Sequence, residues 1–478
     1  MILPFIIFIY ALGGIACLVF PKEKSSVIAR VTAGILLIIG FATLPSFMKN
    51  ELPMAFDFSA PWISALGSGI HFGTDGISYP LILLTLFLGF VSALLPYPHN
   101  EPAENARFYW ALILWLLSAV VGVFASLDLL LFYIFWEIVL ILMFFLIALY
   151  GGENRKYASM KFLIYTQFAS LVMLLGIIAL YLGSGGFTFD IMTLRTLEFS
   201  QSLAFWVVAA LLFSFFVKIP AVPFHTWLPD AHVEAPTAGS VLLAGLLLKM
   251  GAYGILRIPF TIFPDALYAI AVPLGIFAFV SILYGAFVSL AQDNLKRMIA
   301  YSSVNHMGYV LLGIATLSPM GIHGAVYEMV AHGFGAGLLF ATAGFIHDKY
   351  KTFSIPELRG LMKSVPVVSW FFIIGALAAM GLPTMAGFIA EFTIFVAAFQ
   401  VYHAWILLPL VAVVVTAGYF IWTVQRSMWG DGGSSDISEP KRVLYWTPYI
   451  LLTLGLFVLG LVPSLLFSIL DTGMFIFR

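Results

Sequence analysis

Long apolar runs fill most of the chain and are separated by short segments rich in Gly, Pro and charged residues. A membrane-spanning helix needs about 20 mostly apolar residues. When the chain is divided into runs of that length, separated by the segments rich in Gly, Pro and charged residues, it is predicted to be an all-α polytopic membrane protein with about 14 spans. The predicted spans are 1–20, 26–47, 77–96, 108–126, 129–150, 158–183, 203–228, 236–257, 266–290, 297–316, 320–346, 366–400, 403–427 and 444–470.

Composition agrees with a membrane protein and excludes several classes. Hydrophobic residues make up 62% of the chain and charged residues 9%, with a mean hydropathy of +1.05, whereas soluble domains are about 25% charged. A net charge of −1 without a basic tail gives no sign of nucleic-acid binding. The single cysteine, Cys17, cannot supply the four thiolates of an iron–sulfur cluster, and no nucleotide-binding or HExxH motif occurs. We therefore expect no cofactor and no redox chemistry in this chain.

Positive charges predict the orientation. Sixteen of the 22 Lys and Arg residues fall on the side that holds the loops after odd-numbered helices, and four fall on the other side. The remaining two, Lys218 and Lys249, lie inside predicted spans. The positive-inside rule makes the richer side cytoplasmic, so both termini are predicted on the outer side. The first apolar run begins at Met1 without a basic segment and is interpreted as helix 1, not as a signal peptide.

Helices 7 and 12 carry residues that interrupt a continuous helix. Helix 7 contains Pro220 and Pro223, and helix 12 contains Pro383 and Gly387. In two blocks, helices 4–8 and 9–13, the break falls in the fourth helix of each. Blocks of five helices run in opposite directions, so the pattern predicts the inverted repeat common in secondary transporters, although prolines are ordinary in membrane helices and chance is the alternative. The predicted segments are 1–107, 108–258, 259–428 and 429–478.

Five ionisable side chains besides histidine fall well inside predicted spans: Glu137, Lys218, Lys249, Glu328 and Glu391. Each costs at least about 2.5 to 3.5 kcal/mol at the bilayer centre if it has no partner. The alternatives are an interfacial carboxylate at Glu137, a snorkelling Lys249 and a structural ion pair that never changes state. Five together favour a path for ions, since a buried carboxylate and a lysine change each other's proton affinity when they move.

Histidines extend this set. His306 lies in helix 10, and Glu328 and His332 are four residues apart on one face of helix 11. Any one of these histidines alone would be read as an ordinary core residue. Together with the buried charges they become candidate proton-relay groups. His225 and His232 flank TWLPDA, but their spacing matches no standard metal pattern, so no metal site is predicted.

Four segments resemble a known family. KIPAVPFHTWLPDAHVEAPTAGSVLLAGLLLKMGAYGILR, NLKRMIAYSSVNHMGYVLLGI, MVAHGFGAGLLF and GLPTMAGFIAEF resemble the antiporter-like subunits of respiratory complex I, most closely its subunit M type (mitochondrial subunit 4). The D subunit of Mrp sodium/proton antiporters and the corresponding subunits of energy-converting membrane hydrogenases are similar relatives. The resemblance extends from about helix 4 to helix 13. It implies fourteen helices, two inverted repeats and broken helices 7 and 12.

The resemblance also implies roles. Glu137 and Lys218 would form the ion pair of a first half-channel, Lys249 would be the central relay lysine, and Glu391 would end a second half-channel. Glutamate at position 391, where the L and N types have lysine, points to the M or D type.

The two histidines of this set, His306 and His332, would link the charged groups along a hydrated axis. Glu328 is a further relay candidate, but it matches no family position that can be identified from the sequence.

The expected function is proton translocation, or sodium/proton exchange, by a membrane subunit of a complex I-related redox complex. Such a chain would itself carry no redox centre, so whether it counts as part of an enzyme depends on that complex. Its partners would be other membrane subunits, and peripheral redox subunits indirectly. One alternative is the D-type subunit of an Mrp antiporter with no redox partner. A second is a non-conducting scaffold that only holds a membrane arm together.

Overall fold

The computed structural model describes residues 1–98, 101–430 and 439–472. Residues 431–438 of the predicted polar linker, and residues 473–478 with Arg478 at the chain end, lie outside this range.

Helices account for most of the described residues. In the first half they are α1 (Ile2–Val19), α2 (Lys22–Ala42), α3 (Leu44–Met48), α4 (Ser78–Leu94), α5 (Ala106–Ala125), α6 (Leu129–Tyr150), α7 (Arg155–Gly183), α8 (Ile191–Leu194), α9 (Gln201–Lys218), α10 (Trp227–Glu234), α11 (Thr237–Leu242), a π-helix (Leu243–Leu247), α12 (Leu248–Arg257), α13 (Pro259–Ile262) and α14 (Pro264–Ala269). In the second half they are α15 (Ala271–Leu290), α16 (Leu295–Ala315), α17 (Pro319–Tyr350), α18 (Leu361–Ser364), α19 (Pro366–Ala379), α20 (Ala386–Tyr402), α21 (Leu407–Met428), α22 (Thr447–Leu461) and α23 (Ser464–Asp471).

Eleven helical segments of the described chain are long and apolar enough to cross a membrane. One of them, Ala386–Met428, contains both α20 and α21. The shorter apolar helices Ser78–Leu94 and Pro366–Ala379 fall at two further predicted places. Helix α16, at predicted span 297–316, is not among the eleven. The helical membrane architecture is thus confirmed, and the count of fourteen stays a prediction.

A β-hairpin corrects the all-helical prediction. Between the predicted spans 26–47 and 77–96, β1 (Ala55–Ile63) and β2 (Ser68–Thr74) pair in antiparallel register. Gly67 closes the turn in a left-handed conformation, with φ of 63°, which glycine adopts without steric cost. The hairpin contacts the helices through Asp128, which accepts hydrogen bonds from Ser68 and Gly69 and also caps the start of α6. The strands contain Pro61, Gly69 and Gly73, residue types that are uncommon inside strands and weaken a sequence-based strand prediction.

The helix interruptions predicted at the prolines are present. Helix α9 ends at Lys218 and α10 begins at Trp227, while α19 ends at Ala379 and α20 begins at Ala386. A backbone group freed in lipid must find another partner. Near the first break, the Trp227 indole donates to the Val217 carbonyl at 2.9 Å, and the Val222 amide donates to Ser281 Oγ at 3.0 Å.

A fully buried ion pair joins distant parts of the fold. Arg257, near the end of α12, donates to Asp75 at 2.6 Å, and neither side chain is more than 1% exposed. Asp75 also accepts hydrogen bonds from Ile77 and Ser78 at the start of α4. Tyr253, one turn before Arg257, accepts from it and donates to the Phe124 carbonyl. Removing one partner of such a pair leaves a buried charge unpaired, so this contact fixes α12 against α4 and α5.

His71 gives the hairpin a pH-dependent tether. Its ring bonds Asp57 at 2.9 Å on one side and Asp190 on the other. Burial lowers the pKa of His71, but hydrogen bonds and charge from Asp190 and Asp57 outweigh it, and the net pKa is raised above 6.5. The tether therefore contributes fully below about pH 6.5 and weakens as the pH rises through the raised pKa.

We expect amide hydrogen exchange in β1 and β2, corrected for intrinsic rates, to become severalfold faster between pH 6 and pH 9, because His71 loses its charge. His71→Gln should show fast exchange at both pH values. An equally large pH effect in the His71→Gln protein would contradict the assignment.

Candidate functional site

The centre of the site is Lys249, the second residue of α12. The π-helix Leu243–Leu247 immediately precedes this helix, and π turns change the usual backbone hydrogen-bonding pattern and occur often at functional sites. The Ala244 carbonyl accepts a hydrogen bond from Lys249 Nζ. The local distortion thus gives a fully buried ammonium group one backbone partner.

The second partner of Lys249 comes from α17. Lys249 Nζ lies 2.7 Å from His332 Nδ1, within hydrogen-bond distance, and which nitrogen donates depends on where the proton lies. A short N to N contact between two groups that can both carry a proton is suited to proton transfer. Two of the candidate relay residues are therefore in direct contact.

His306 on α16 continues the series. Its ring centre lies 5.4 Å from that of His332. His306 Nδ1 lies 3.0 Å from Glu328 Oε1 on α17 and 3.7 Å from Glu391 Oε1 on α20. Four helices, α12, α16, α17 and α20, thus contribute to one cluster, which we call the axial cluster: Lys249, His332, His306, Glu328 and Glu391.

Every member of the axial cluster is at most 6% exposed. Several of its polar atoms nevertheless have no hydrogen-bond partner: Glu328 Oε2, His306 Nε2 and His332 Nε2. A small cavity touches these three side chains and the broken helix at Ala378 and Gly387. Its volume of about 20 Å³ accommodates one or two water molecules, since one needs about 10 to 15 Å³ and several polar partners. A water there can join the two histidines.

Glu137 and Lys218 are not in the contact that the resemblance implies. Lys218 is buried, and its Nζ has no hydrogen-bond partner but lies 5.1 Å from the ring centre of Trp136. Glu137 Oε1 also lacks a partner, and no ion pair joins the two residues within the described chain. The Glu137 charge still acts on Lys218. The physical reason is local: Trp136, the neighbour of Glu137, fills the space beside the ammonium.

His225 and His232 stay apart from the axial cluster. His225 lies against the ring of Tyr284, with centres 4.8 Å apart, and His232 stacks on Phe340 at 4.4 Å. Neither ring nitrogen of either histidine has a hydrogen-bond partner. The sequence-based expectation that they form no metal site together stays a prediction.

A wide polar depression of about 950 Å³ opens at the ends of the helices. It is lined by Pro96, Pro98 and Glu101 and by residues within 150–155, 233–237, 293–296 and 347–354. Lys296 lies in its wall and donates to the Val233 and Ala235 carbonyls at 3.1 and 2.6 Å. His347 also lies in this wall, where the charges of Lys296 and Lys351 act on it. His232 does not line the depression, but the charges of Lys296 in its wall and of Lys249 in the axial cluster both act on this buried ring.

Sequence reasoning missed two features of the site. The π-helix has no signal in the run LLAGLLLKM, and so the role of the Ala244 carbonyl could not be foreseen. Glu328 is a relay candidate for which the sequence gives no partner. Its spacing of four residues from His332 places both side chains on the face of α17 that meets α16. The contact with His306 supplies the partner.

Comparison with known proteins supports a common origin. The family described as NADH:quinone oxidoreductase/Mrp antiporter, TM, matches residues 126–416. F(420)H(2) dehydrogenase subunit M of Methanosarcina mazei is 41% identical over 88% of this chain and 86% of its own. NADH-quinone oxidoreductase subunit M of Escherichia coli K12 is 37% identical over 99% of this chain and 96% of its own. A chain of respiratory complex I from Thermus thermophilus with bound NADH superimposes with a TM-score of 0.89 at 29% identity, over 100% of this chain and 99% of that one.

Gly387 tests whether the broken helix positions the site. A Cβ at this residue would lie 2.5 Å from the Ala378 carbonyl oxygen, so Gly387→Ala must push α20 away from α19. We expect a loss of stability of about 1 to 3 kcal/mol, typical of overpacking, measured as a lower apparent Tm of the purified protein. Gly418→Ala is the matched control, because no atom lies within 4 Å of its added Cβ. Equal Tm values for the two variants would refute the close contact.

Proposed function

The chain belongs to the NADH:quinone oxidoreductase/Mrp antiporter transmembrane family, and from that membership we propose that it is the M-type ion-translocating subunit of a complex I-related redox complex. Its partners are other membrane subunits of that complex, and it meets the redox subunits only indirectly. The observation that carries the proposal is the continuous series of proton-carrying groups from Lys249 to Glu391.

The ion is a proton in this proposal. Lys249, His332 and His306 can each hold or release one, and the Lys249 to His332 contact of 2.7 Å needs no intermediary. A water in the adjoining cavity joins His332 to His306, which lies within hydrogen-bond distance of Glu328 and 3.7 Å from Glu391. The protein's part is to hold these groups in line and to exclude bulk water, so that a proton leaves only along the series.

Lys218 and Glu137 would control this series. In a dry environment an isolated ammonium is unfavourable, and a nearby carboxylate restores it. Because Lys218 has no partner here, a movement that brings Glu137 closer would favour its charged form, and separation would drive its proton onward. The open arrangement of the pair is one state of such a switch.

Uptake would begin at the polar depression beside Lys296. By the positive-inside rule this end of the helices is cytoplasmic. His232 would pass the proton inward, since it is buried between Lys296 and Lys249 and both of its ring nitrogens are free of hydrogen bonds.

The finer architecture belongs to the same proposal. We infer fourteen spans, with helices 4–8 and 9–13 as inverted repeats, both termini on the outer side and location in a prokaryotic cell membrane. The segments 1–107, 108–258, 259–428 and 429–478 follow from that division. The two observed helix breaks support it, and no cofactor is required in the chain.

The Mrp-type alternative remains the second candidate, because the family description covers both kinds of complex. Purification of the native complex separates them: redox subunits bound to the chain support the first function, and their absence beside small antiporter subunits supports the second. A pure scaffold would leave coupling intact in any complex that assembles after its buried charges are neutralised.

The relay is tested by Lys249→Gln and Glu137→Gln in the assembled complex, reconstituted in vesicles. We expect Lys249→Gln to lower proton translocation by at least about a hundredfold, the scale of a lost proton-transfer group, and Glu137→Gln to lower it less, because that residue acts through Lys218. The measurement is proton uptake together with the rate of electron transfer.

Lys156→Gln is the control, because Lys156 is an exposed lysine. Intact electron transfer and intact proton translocation in both relay variants would rule the relay out.

A further inference from the structure

Three members of the axial cluster have the geometry of a metal-binding site. One ligand atom from each of His306, Glu328 and Glu391 lies within 4.8 Å of the other two. His306 Nδ1 is 3.0 Å from Glu328 Oε1 and 3.7 Å from Glu391 Oε1. In a tetrahedral zinc site with bonds of about 2.0 to 2.1 Å, neighbouring ligand atoms are about 3.3 to 3.5 Å apart. The two measured distances lie on either side of this value.

The surroundings also suit a bound ion. Glu328 Oε2 is buried without a hydrogen-bond partner, on the same carboxylate whose Oε1 lies 3.0 Å from His306 Nδ1. The adjoining cavity has room for a water molecule as a fourth ligand, and three protein ligands with one water are typical of an open zinc site. The unpartnered Glu328 oxygen is the second sign of a ligand, independent of the spacing.

The chemistry of the three ligands selects the class of ion. Magnesium and calcium prefer six or more oxygen ligands, whereas one imidazole and two carboxylates suit zinc and related first-row dications. Two ionised carboxylates held this close in a dry interior repel each other, and a dication would neutralise both. We propose that His306, Glu328 and Glu391 bind a divalent transition-metal ion of the Zn²⁺ class.

Occupation would block ion movement through this chain. Coordination takes the Nδ1 lone pair of His306 and the carboxylate oxygens, which are the positions that a proton must visit between His332 and Glu391. The ion displaces the proton that His306 and the carboxylates share, and no redox step is involved. Zinc would therefore inhibit translocation from within the membrane-embedded part of the protein.

The test uses the intact complex that contains this chain, stripped with a chelator, reconstituted in vesicles and incubated with Zn²⁺ at increasing concentration. We expect zinc to inhibit proton translocation, and Glu328→Gln to raise the half-inhibiting concentration by about tenfold or more, measured against that variant's own zinc-free rate. Loss of a residue that only hydrogen-bonds to a metal ligand lowers metal affinity about 10- to 100-fold, so loss of a direct ligand must give a measurable effect. Glu357→Gln, an exposed glutamate, is the matched control and should leave the zinc sensitivity unchanged.

X-ray absorption of the zinc-loaded complex gives a second reading that does not depend on activity. Bonds of about 2.0 to 2.1 Å to one imidazole and to oxygen ligands are expected, with less bound zinc in Glu328→Gln. Unchanged half-inhibition and unchanged bound zinc in Glu328→Gln would overturn the proposal. If that variant does not assemble, the half-inhibiting zinc concentration and the bound zinc are measured in His306→Gln instead, with the same outcomes for and against the proposal. Zinc-free translocation tests the relay, so the two proposals can fail separately.

Discussion

The interior of a bilayer supplies no water to polar groups, so backbone groups that leave a regular helix there must find partners within the protein. Where α9 is interrupted, the indole of Trp227 and the hydroxyl of Ser281 take over for the lost helical partners. Where the π-helix distorts the backbone, the Lys249 side chain bonds the Ala244 carbonyl. Nearby side chains therefore satisfy the backbone groups at the interruptions, and the interruptions leave room for charged side chains at membrane depth.

Close helix packing places those charges next to one another. Gly387 lets α20 begin within contact of the Ala378 carbonyl, and a Cβ at Gly381, which has φ of 69°, would lie 2.9 Å from Glu391 Oε2. The Asp75 and Arg257 pair holds the end of α12 against α4 from the opposite direction. Lys249 lies two turns before Arg257 on the same short helix, so the structural pair and the relay lysine share one rigid element.

The axial cluster and that structural pair both contain buried polar atoms without a hydrogen-bond partner. In the cluster these atoms are Glu328 Oε2, His306 Nε2 and His332 Nε2, and in the pair they are Asp75 Oδ2 and Arg257 Nη1. The cluster differs because its histidines and carboxylates can gain or lose a proton, whereas the arginine stays charged. Leaving buried polar atoms without partners is unfavourable. It also leaves positions where a proton, a water molecule or a metal ion can be gained, which a fully paired network would not offer.

The sequence by itself determined the membrane class, the places where helices 7 and 12 break and the ionisable residues inside the spans, because hydropathy, prolines and charges are properties of local stretches. It also indicated the family, because long family motifs can be recognised in one sequence. Only the tertiary structure decided which of these residues meet. It joined Glu328 to His306 and separated Glu137 from Lys218, and it formed the hairpin at residues 55–74 and the π turn before Lys249. Distances between helices depend on how a side chain such as Trp136 packs and on where a residue without one, such as Gly387, lets two helices approach, and no periodicity within one segment encodes them.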